Sequence, residues 1–420
     1  MEKFLIEGGT PLRGTVRVSG AKNAAIPIMA AAILADGPVT LKEVPRLRDV
    51  ATLATILGEL GVRVERVADL LRLETLNNDL VEAPYDMVRK MRGSICVLGP
   101  LLARRGAATV SLPGGCIIGV RPVDLHIKGL RALGADIQIK HGDIIASAKR
   151  LKGAEMYLGG AFGSTVTGTE NVMSAAVLAE GTTVIEGAAC EPEVEDLGNF
   201  LNAMGARVKG HGSPRIEIEG VDKLHGGEYS IIPDRIEAGT FMIAAAATGG
   251  SVRIENMRLD HLRAATDKLL EIGVSVTSGG GAVHVKADGR PKATDIVTLP
   301  YPGIATDLQA QFMALLALGD GISVITEKIY PDRFMHVPEL CRLGAYIKKE
   351  GPNAIVSGVR EFSGARVMAS DLRASAALVV AGMAARGVTE INRVYHIDRG
   401  YESIEQKLNG LGASIRRVDV

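Results

Sequence analysis

The sequence predicts an α/β fold made from one unit repeated six times along 420 residues. Three observations predict it. A helix end of the Leu-Gly-Ala type recurs at a nearly constant interval, an alanine-rich helix end recurs upstream of each, and both run directly into β-branched stretches.

The first series is ILGELGVRVERV, GLRALGADIQIK, FLNAMGARVKGH, KLLEIGVSVTSG, ELCRLGAYIKKE and KLNGLGASIRRV, with glycines at Gly61, Gly134, Gly205, Gly273, Gly344 and Gly412. Successive glycines are 68 to 73 residues apart. In each, an amphipathic helix stops at a residue able to adopt the left-handed cap, and a short strand follows. The second series is LADGPVTLKEV, LARRGAATVSL, LAEGTTVIEGA, AATGGSVRIENM, LGDGISVITEKI and AARGVTEINRV, with glycines at Gly37, Gly106, Gly181, Gly250, Gly321 and Gly387. Each unit therefore reads helix, strand, helix, strand, with further strand signals between. That order predicts an α/β protein and not a helical solenoid.

Length implies two domains or a large repeated architecture. Lys+Arg and Asp+Glu are both 48, so net charge predicts neither a nucleic-acid partner nor a membrane surface. The apolar run AAIPIMAAAILA stops well short of the ~18 residues of a membrane span. Cys96, Cys116, Cys190 and Cys341 are widely spaced with no C-x-x-C, and MEKFLIEGG lacks a signal-peptide core. These features predict a soluble cytoplasmic protein without disulfides.

Function enters at the start of the first helix of each unit, located by counting back from the second glycine series. The positions are Lys22, Arg92, Thr167, Arg235, Asp307 and Arg373. Helix N-termini carry unpaired N–H groups and partial positive charge, so four cations there run against helix propensity. An anionic ligand at converging helix starts would account for them; solvated side chains are the plainer alternative. Asp307, in PGIATDLQAQF, takes the same position as a carboxylate. It is either a first-turn cap or a general base that accepts a proton from a substrate hydroxyl.

The stretch SLPGGCIIGVRPVDLH, Ser111 to His126, sets Cys116 between Gly114, Gly115 and Arg121. Pro113 and the glycines predict a loop, and a neighbouring guanidinium lowers a thiol below its ordinary ~8.5. Cys116 is thus a candidate reactive thiol, the alternative being a small residue at a tight turn. Arg333 in YPDRFMHVPEL and Arg399 in YHIDRGYESIE are further cations outside the helix starts. The eight histidines show no metal-ligand spacing, and His126, His336 and His396 read as structural. No P-loop occurs, and GGAFGSTVTG departs from the dinucleotide fingerprint.

Together SGAKNAAIP, SLPGGCIIGVRPVDLH, PDRFMHVPEL, DLRASAALV and HIDRGYE resemble the UDP-N-acetylglucosamine enolpyruvyl transferases, across essentially the whole chain. The resemblance implies a two-domain inside-out α/β barrel of βαβαββ units, three per domain. It places residues 21–231 in one domain and 1–20 with 232–420 in the other, the active site lying in the cleft. It also implies transfer of the enolpyruvyl group of phosphoenolpyruvate to the 3′-hydroxyl of UDP-N-acetylglucosamine in peptidoglycan precursor synthesis, without metal or organic cofactor and by a monomer. By motif, Lys22, Arg92, Arg121, Arg333, Arg373 and Arg399 would surround phosphate and carboxylate groups, and Asn23 would lie near the sugar. Arg121, Pro122, Val123, Asp124 and Leu125 would follow the uridine nucleotide, with Ile329, Thr165 and Val166 as further contacts. GSTVTGTENV departs from the SVGATEN wording there, placing Thr167 where glycine is frequent. Cys116 would protonate C3, Asp307 would take the hydroxyl proton, and a phosphonate epoxide such as fosfomycin would alkylate Cys116. Transfer to shikimate 3-phosphate would share fold and arginines but not the Gly-Gly-Cys loop. A thiol redox sensor would need neither Asp307 nor ordered helix starts, and an RNA 3′-phosphate cyclase relative conflicts with the charge balance.

Overall fold

The computed structural model describes residues 2–112 and 123–419. The described residues form two compact units, one made of 2–19 and 233–419, the other of 20–112 and 123–232. Each has its own hydrophobic core.

Among the described residues there are six four-stranded sheets and one two-stranded ribbon, and none of the sheets closes into a barrel. Each four-stranded sheet combines one parallel pair with two antiparallel pairs. In the sheet of Ile296–Thr298, Ile322–Glu327, Asn353–Ser357 and Tyr346–Glu350, for example, only the first two strands run parallel. The antiparallel hairpins follow from short returns in sequence, whereas each parallel pair needs a crossover through a helix. The strand Glu2–Glu7 lies between Val388–Asn392 and Ser414–Asp419, antiparallel to both, so the two ends of the chain share one sheet.

Two kinds of helix cover these sheets. Lys22–Ala31, Leu98–Arg105 and Val166–Ala176 pack on one another in one unit, and Arg235–Ala247, Gln309–Leu316 and Leu372–Ala384 do so in the other. Five of them are buried along almost their whole length and Leu98–Arg105 over its first five residues, an enclosure that the neighbouring helices supply. All of Ile236 through Ala246 is buried. The remaining helices are amphipathic: Arg263–Ile272 buries Ala265, Leu269 and Ile272, one stripe at helical spacing, and leaves its other face to water.

The glycine series has a backbone cause. Gly61, Gly134, Gly205, Gly273, Gly344 and Gly412 all have φ between 78° and 100°, the left-handed region in which a Cβ is strained. In the second series Gly37, Gly106, Gly181, Gly321 and Gly387 are likewise left-handed. The AATGGSV copy differs from expectation, because Gly249 carries the positive φ of 63°. Gly250 instead approaches the backbone of Leu12 too closely for a side chain.

Candidate active site

All six positions predicted at helix starts lie in the first or second residue of a helix or 3₁₀ turn. Lys22, Arg92 and Arg235 open theirs, and Thr167, Asp307 and Arg373 come second. The cations are not left to the helix field alone. Asp371, the N-cap of Leu372–Ala384, accepts from the backbone N–H groups of Arg373 and Ala374 at 2.8 and 3.2 Å. Asp234 does the same for Arg235–Ala247 through Ile236 and Glu237 at 2.8 and 3.0 Å. These carboxylates satisfy the orphan donors and offset the positive helix end, the cost on which the sequence argument rested.

The unit holding Asp307 brings three predicted residues together. Arg333 Nη1 donates to Asp307 Oδ1 at 2.8 Å, and Arg373 Nη2 donates to Oδ2 at 2.9 Å. The guanidiniums are almost wholly enclosed, their side chains 8% and 3% exposed, while Asp307 keeps 25%. Burial alone would push the Asp307 carboxyl up, but Arg373 and then Arg333 outweigh it and hold it far below the ordinary carboxylate range. The arginines are held in turn: the Arg373 guanidinium lies over the Tyr401 ring, 5.3 Å from its centroid, and Arg333 Nη1 also donates to Thr306 Oγ1 at 3.0 Å. Arg373 Nε and Nη1 are buried with no acceptor among the described residues, so this side chain has donor capacity beyond Asp307.

Around this pair the polar groups are buried and interlocked. Gln311 Nε2 donates to the Asp307 carbonyl at 3.0 Å and reaches Tyr401 Oη and Thr240 Oγ1 at 3.2 Å each, tying together the helices that bear Thr240 and Gln311. Burial pulls the His336 imidazole down to about 4, with Asp371 working the other way, so at neutral pH it is an uncharged neighbour. Ile329 is half-buried and its N–H donates to Glu327 at 2.9 Å. Arg399 ends the 3₁₀ helix Val394–Arg399, half-buried, and its neighbour Asp398 is taken by Arg417 at 2.6 Å. Two non-glycine residues with positive φ, Arg393 at 61° and Ser403 at 46°, bracket that segment, a local backbone strain next to a predicted site residue.

In the other unit Lys22 Nζ lies 2.8 Å from Asp49 Oδ2, with side chains 13% and 4% exposed. Asn23 follows it, half-buried. Val123 caps the helix Asp124–Ala132, whose first residues are the exposed Asp124 and the half-buried Leu125. Thr165 caps Val166–Ala176 by accepting from Gly168 N at 3.2 Å, so the departure from the SVGATEN wording builds a normal N-terminus. Thr167 contacts His126 Nε2 at 3.1 Å, and Asn171 meets Nδ1 at 2.9 Å. Burial, helped by Arg92, pulls His126 down to about 3, which makes it a neutral structural residue. Asn171 also accepts from Gly99 N and donates to the Ile95 carbonyl, both at 2.8 Å, at a helix contact so close that Gly99 has no room for a Cβ. Cys116, Arg121 and Pro122 lie outside the described residues.

Sequence reasoning missed Asp49, Gln311, Glu327, Asp371 and Tyr401. Of these only Asp371 carried a legible signal, the capping Asp of S-D-L-R; Asp234, also missed, carried the same signal in P-D-R-I. Among the described residues no group of three or more His, Cys, Asp or Glu side chains is arranged to hold a metal, and no helix is long and apolar enough to cross a membrane.

Residues 6–408 match the family described as EPSP synthase (3-phosphoshikimate 1-carboxyvinyltransferase). The chain is 56% identical over full length on both sides to UDP-N-acetylglucosamine 1-carboxyvinyltransferase 2 of Carboxydothermus hydrogenoformans. It is 55% identical, covering 100% of this chain and 99% of the relative, to the UDP-N-acetylglucosamine 1-carboxyvinyltransferase of Trichlorobacter lovleyi. Among solved structures it resembles the enolpyruvyl transferase NikO from Streptomyces tendae, with a TM-score of 0.89 at 25% identity, covering 100% and 99% of the two chains. EPSP synthase from Acinetobacter baumannii superposes with a TM-score of 0.75 at 19% identity and full coverage of both chains, a likeness of fold.

Proposed function

Because this chain belongs to the UDP-N-acetylglucosamine 1-carboxyvinyltransferases of the EPSP synthase family, we propose that Asp307, Arg333 and Arg373 form the part of its active site that handles phosphoenolpyruvate and the acceptor hydroxyl. The enzyme transfers the enolpyruvyl group of phosphoenolpyruvate to the 3′-hydroxyl of UDP-N-acetylglucosamine and releases phosphate, a step of peptidoglycan precursor synthesis. The observation that carries the site reading is one partly exposed carboxylate gripped by two buried guanidiniums from different elements, one of them with spare donors.

The chemistry we propose is addition followed by elimination. The Cys116 thiol delivers its proton to C3 of phosphoenolpyruvate while the sugar 3′-oxygen attacks C2, and Asp307 takes the hydroxyl proton. The tetrahedral adduct then loses a C3 proton to the thiolate and phosphate from C2, the departing phosphate taking up the proton that Asp307 holds, which restores the double bond, the thiol and the carboxylate. A carboxylate held by two arginines is a weak base. When the phosphate and carboxylate of the substrate draw on Arg333 and Arg373, less positive charge bears on Asp307 and its basicity rises toward what the step needs. Lys22, Arg92, Arg121 and Arg399 serve as further anion contacts, and Asn23, Pro122, Val123, Asp124, Leu125, Thr165, Val166 and Ile329 recognise the nucleotide sugar.

The finer architecture belongs to the same proposal: the six four-stranded sheets correspond to six βαβαββ repeats, three in residues 21–231 and three in 1–20 with 232–420. So do a cytoplasmic location and a monomeric state. Mass spectrometry and NMR of the product test the reaction. An enol ether on the sugar 3′-oxygen is expected, and an unchanged nucleotide sugar with phosphoenolpyruvate present would overturn it.

A further inference from the structure

Glu327 is the last residue of the strand Ile322–Glu327 and lies opposite Thr298, the last residue of the parallel strand Ile296–Thr298. Its side chain is fully buried. Oε1 accepts from Thr298 Oγ1 at 2.6 Å, from Ile329 N at 2.9 Å and from Tyr330 N at 3.0 Å. Oε2 accepts from Thr306 Oγ1 at 2.8 Å. Each hydroxyl gives its hydrogen to Glu327 and receives another in turn: Thr298 Oγ1 accepts from Lys328 N at 3.1 Å, and Thr306 Oγ1 accepts from Arg333 Nη1 at 3.0 Å. Four donors on one buried carboxyl make a saturated, low-slack junction.

From this junction two branches leave. One is the backbone turn at Ile329 and Tyr330. The other runs through Thr306 to Arg333, whose same Nη1 donates to Asp307 at 2.8 Å. We propose that Glu327 is a positioning residue that sets acceptor recognition at the Ile329 turn and the orientation of the Arg333–Asp307 pair from a single buried carboxyl. The proposal rests on the functional reading above for the roles of Ile329 and Asp307. Glutamine cannot replace the carboxyl cleanly: with its NH₂ toward Oε1's partners the Ile329 and Tyr330 N–H groups lose their acceptor, and with its NH₂ toward Thr306 that hydroxyl must turn from donor to acceptor.

Steady-state kinetics on the full-length enzyme separate the branches. Glu327→Gln should raise the KM for UDP-N-acetylglucosamine roughly tenfold, the loss of one oriented hydrogen bond, and lower kcat by about a hundredfold through misplacement of the reacting group. Thr306→Val cuts only the second branch, so kcat should fall while the acceptor KM stays within about twofold, and Thr306→Ser should restore kcat. A folded Glu327→Gln enzyme with wild-type kcat and KM would overturn the proposal. So would a Thr306→Val enzyme whose acceptor KM rises as much as that of Glu327→Gln, or one that Ser fails to rescue. If Glu327→Gln does not fold, the Thr306 pair decides alone. Calorimetry with UDP-N-acetylglucosamine and with inorganic phosphate separates failure of the wiring from failure of the functional reading. A wild-type enzyme inactive on these substrates sinks the reading, while the wiring still requires Thr306→Val to weaken phosphate binding and spare the nucleotide sugar.

Discussion

Replacing Asp307 by Asn should make the protein less stable, yet better at holding a small anion. In the wild type the carboxylate neutralises two guanidiniums at 2.8 and 2.9 Å whose side chains are 8% and 3% exposed. Removing one member of a buried pair costs about 3–5 kcal/mol, because the partners stay buried and charged. Asn keeps one acceptor oxygen, worth about 1.5 kcal/mol or more toward a charged donor, so a loss of about 2–3 kcal/mol from this unit is expected. Inorganic phosphate or phosphoenolpyruvate would then bind arginines that no carboxylate contests, and by linkage each ligand should stabilise the variant more than the wild type. Turnover should fall by about a hundredfold or more, because the proton acceptor is gone. Urea denaturation with and without phosphate, together with calorimetry and kinetics, reads all three effects. Equal phosphate stabilisation of both proteins, or a variant of wild-type stability, would refute the reasoning that the arginines serve carboxylate and anion in competition.

Two further outcomes follow from the buried titratable groups. His126, pulled down to about 3 by burial and then by Arg92, is neutral in the folded protein, whereas its unfolded value is near 6.5. Between those values the unfolded chain binds the extra proton, so its contribution is complete above about pH 6.5 and is lost as pH falls toward 3. NMR should find the ring uncharged down to about pH 4, and a midpoint near 6 would contradict the buried environment. A phosphonate epoxide should alkylate Cys116 and leave the other thiols unmodified by peptide mapping. Burial, and then Glu170, pushes the Cys96 thiol up; burial and Glu191 do the same for Cys190; Cys341 is exposed but has no part in the proposed anion site. Modification of any of these three before Cys116 would remove the thiol from its proposed role.

What could be read from the sequence was whatever the backbone makes periodic. Gly61, Gly134, Gly205, Gly273, Gly344 and Gly412 were visible because a left-handed φ admits few residues, and the helix starts could be found by counting from glycines of the same kind. Gly249 shows the limit of this. Two adjacent glycines satisfy one turn, and only the close approach of Leu12 to Gly250 decides which takes the positive φ. Asp307, Arg333 and Arg373 were each visible as charged residues at marked positions, but their mutual contact was not, since 26 and 66 residues separate the arginines from the carboxylate. Glu327 and Asp49 were invisible for a related reason. They end a strand or open an amphipathic helix like many other acids, and only the fold shows that one accepts four hydrogen bonds and the other faces Lys22.

Phosphate release from phosphoenolpyruvate, followed with UDP-N-acetylglucosamine or shikimate 3-phosphate as acceptor and with Asp307→Ala beside the wild type, tests the central claim most directly. The wild type should release phosphate only with UDP-N-acetylglucosamine, and the Asp307→Ala enzyme should still bind that nucleotide sugar but turn over at least about a hundredfold more slowly. Release supported by shikimate 3-phosphate would contradict the acceptor, and an Asp307→Ala enzyme of wild-type rate would contradict the site.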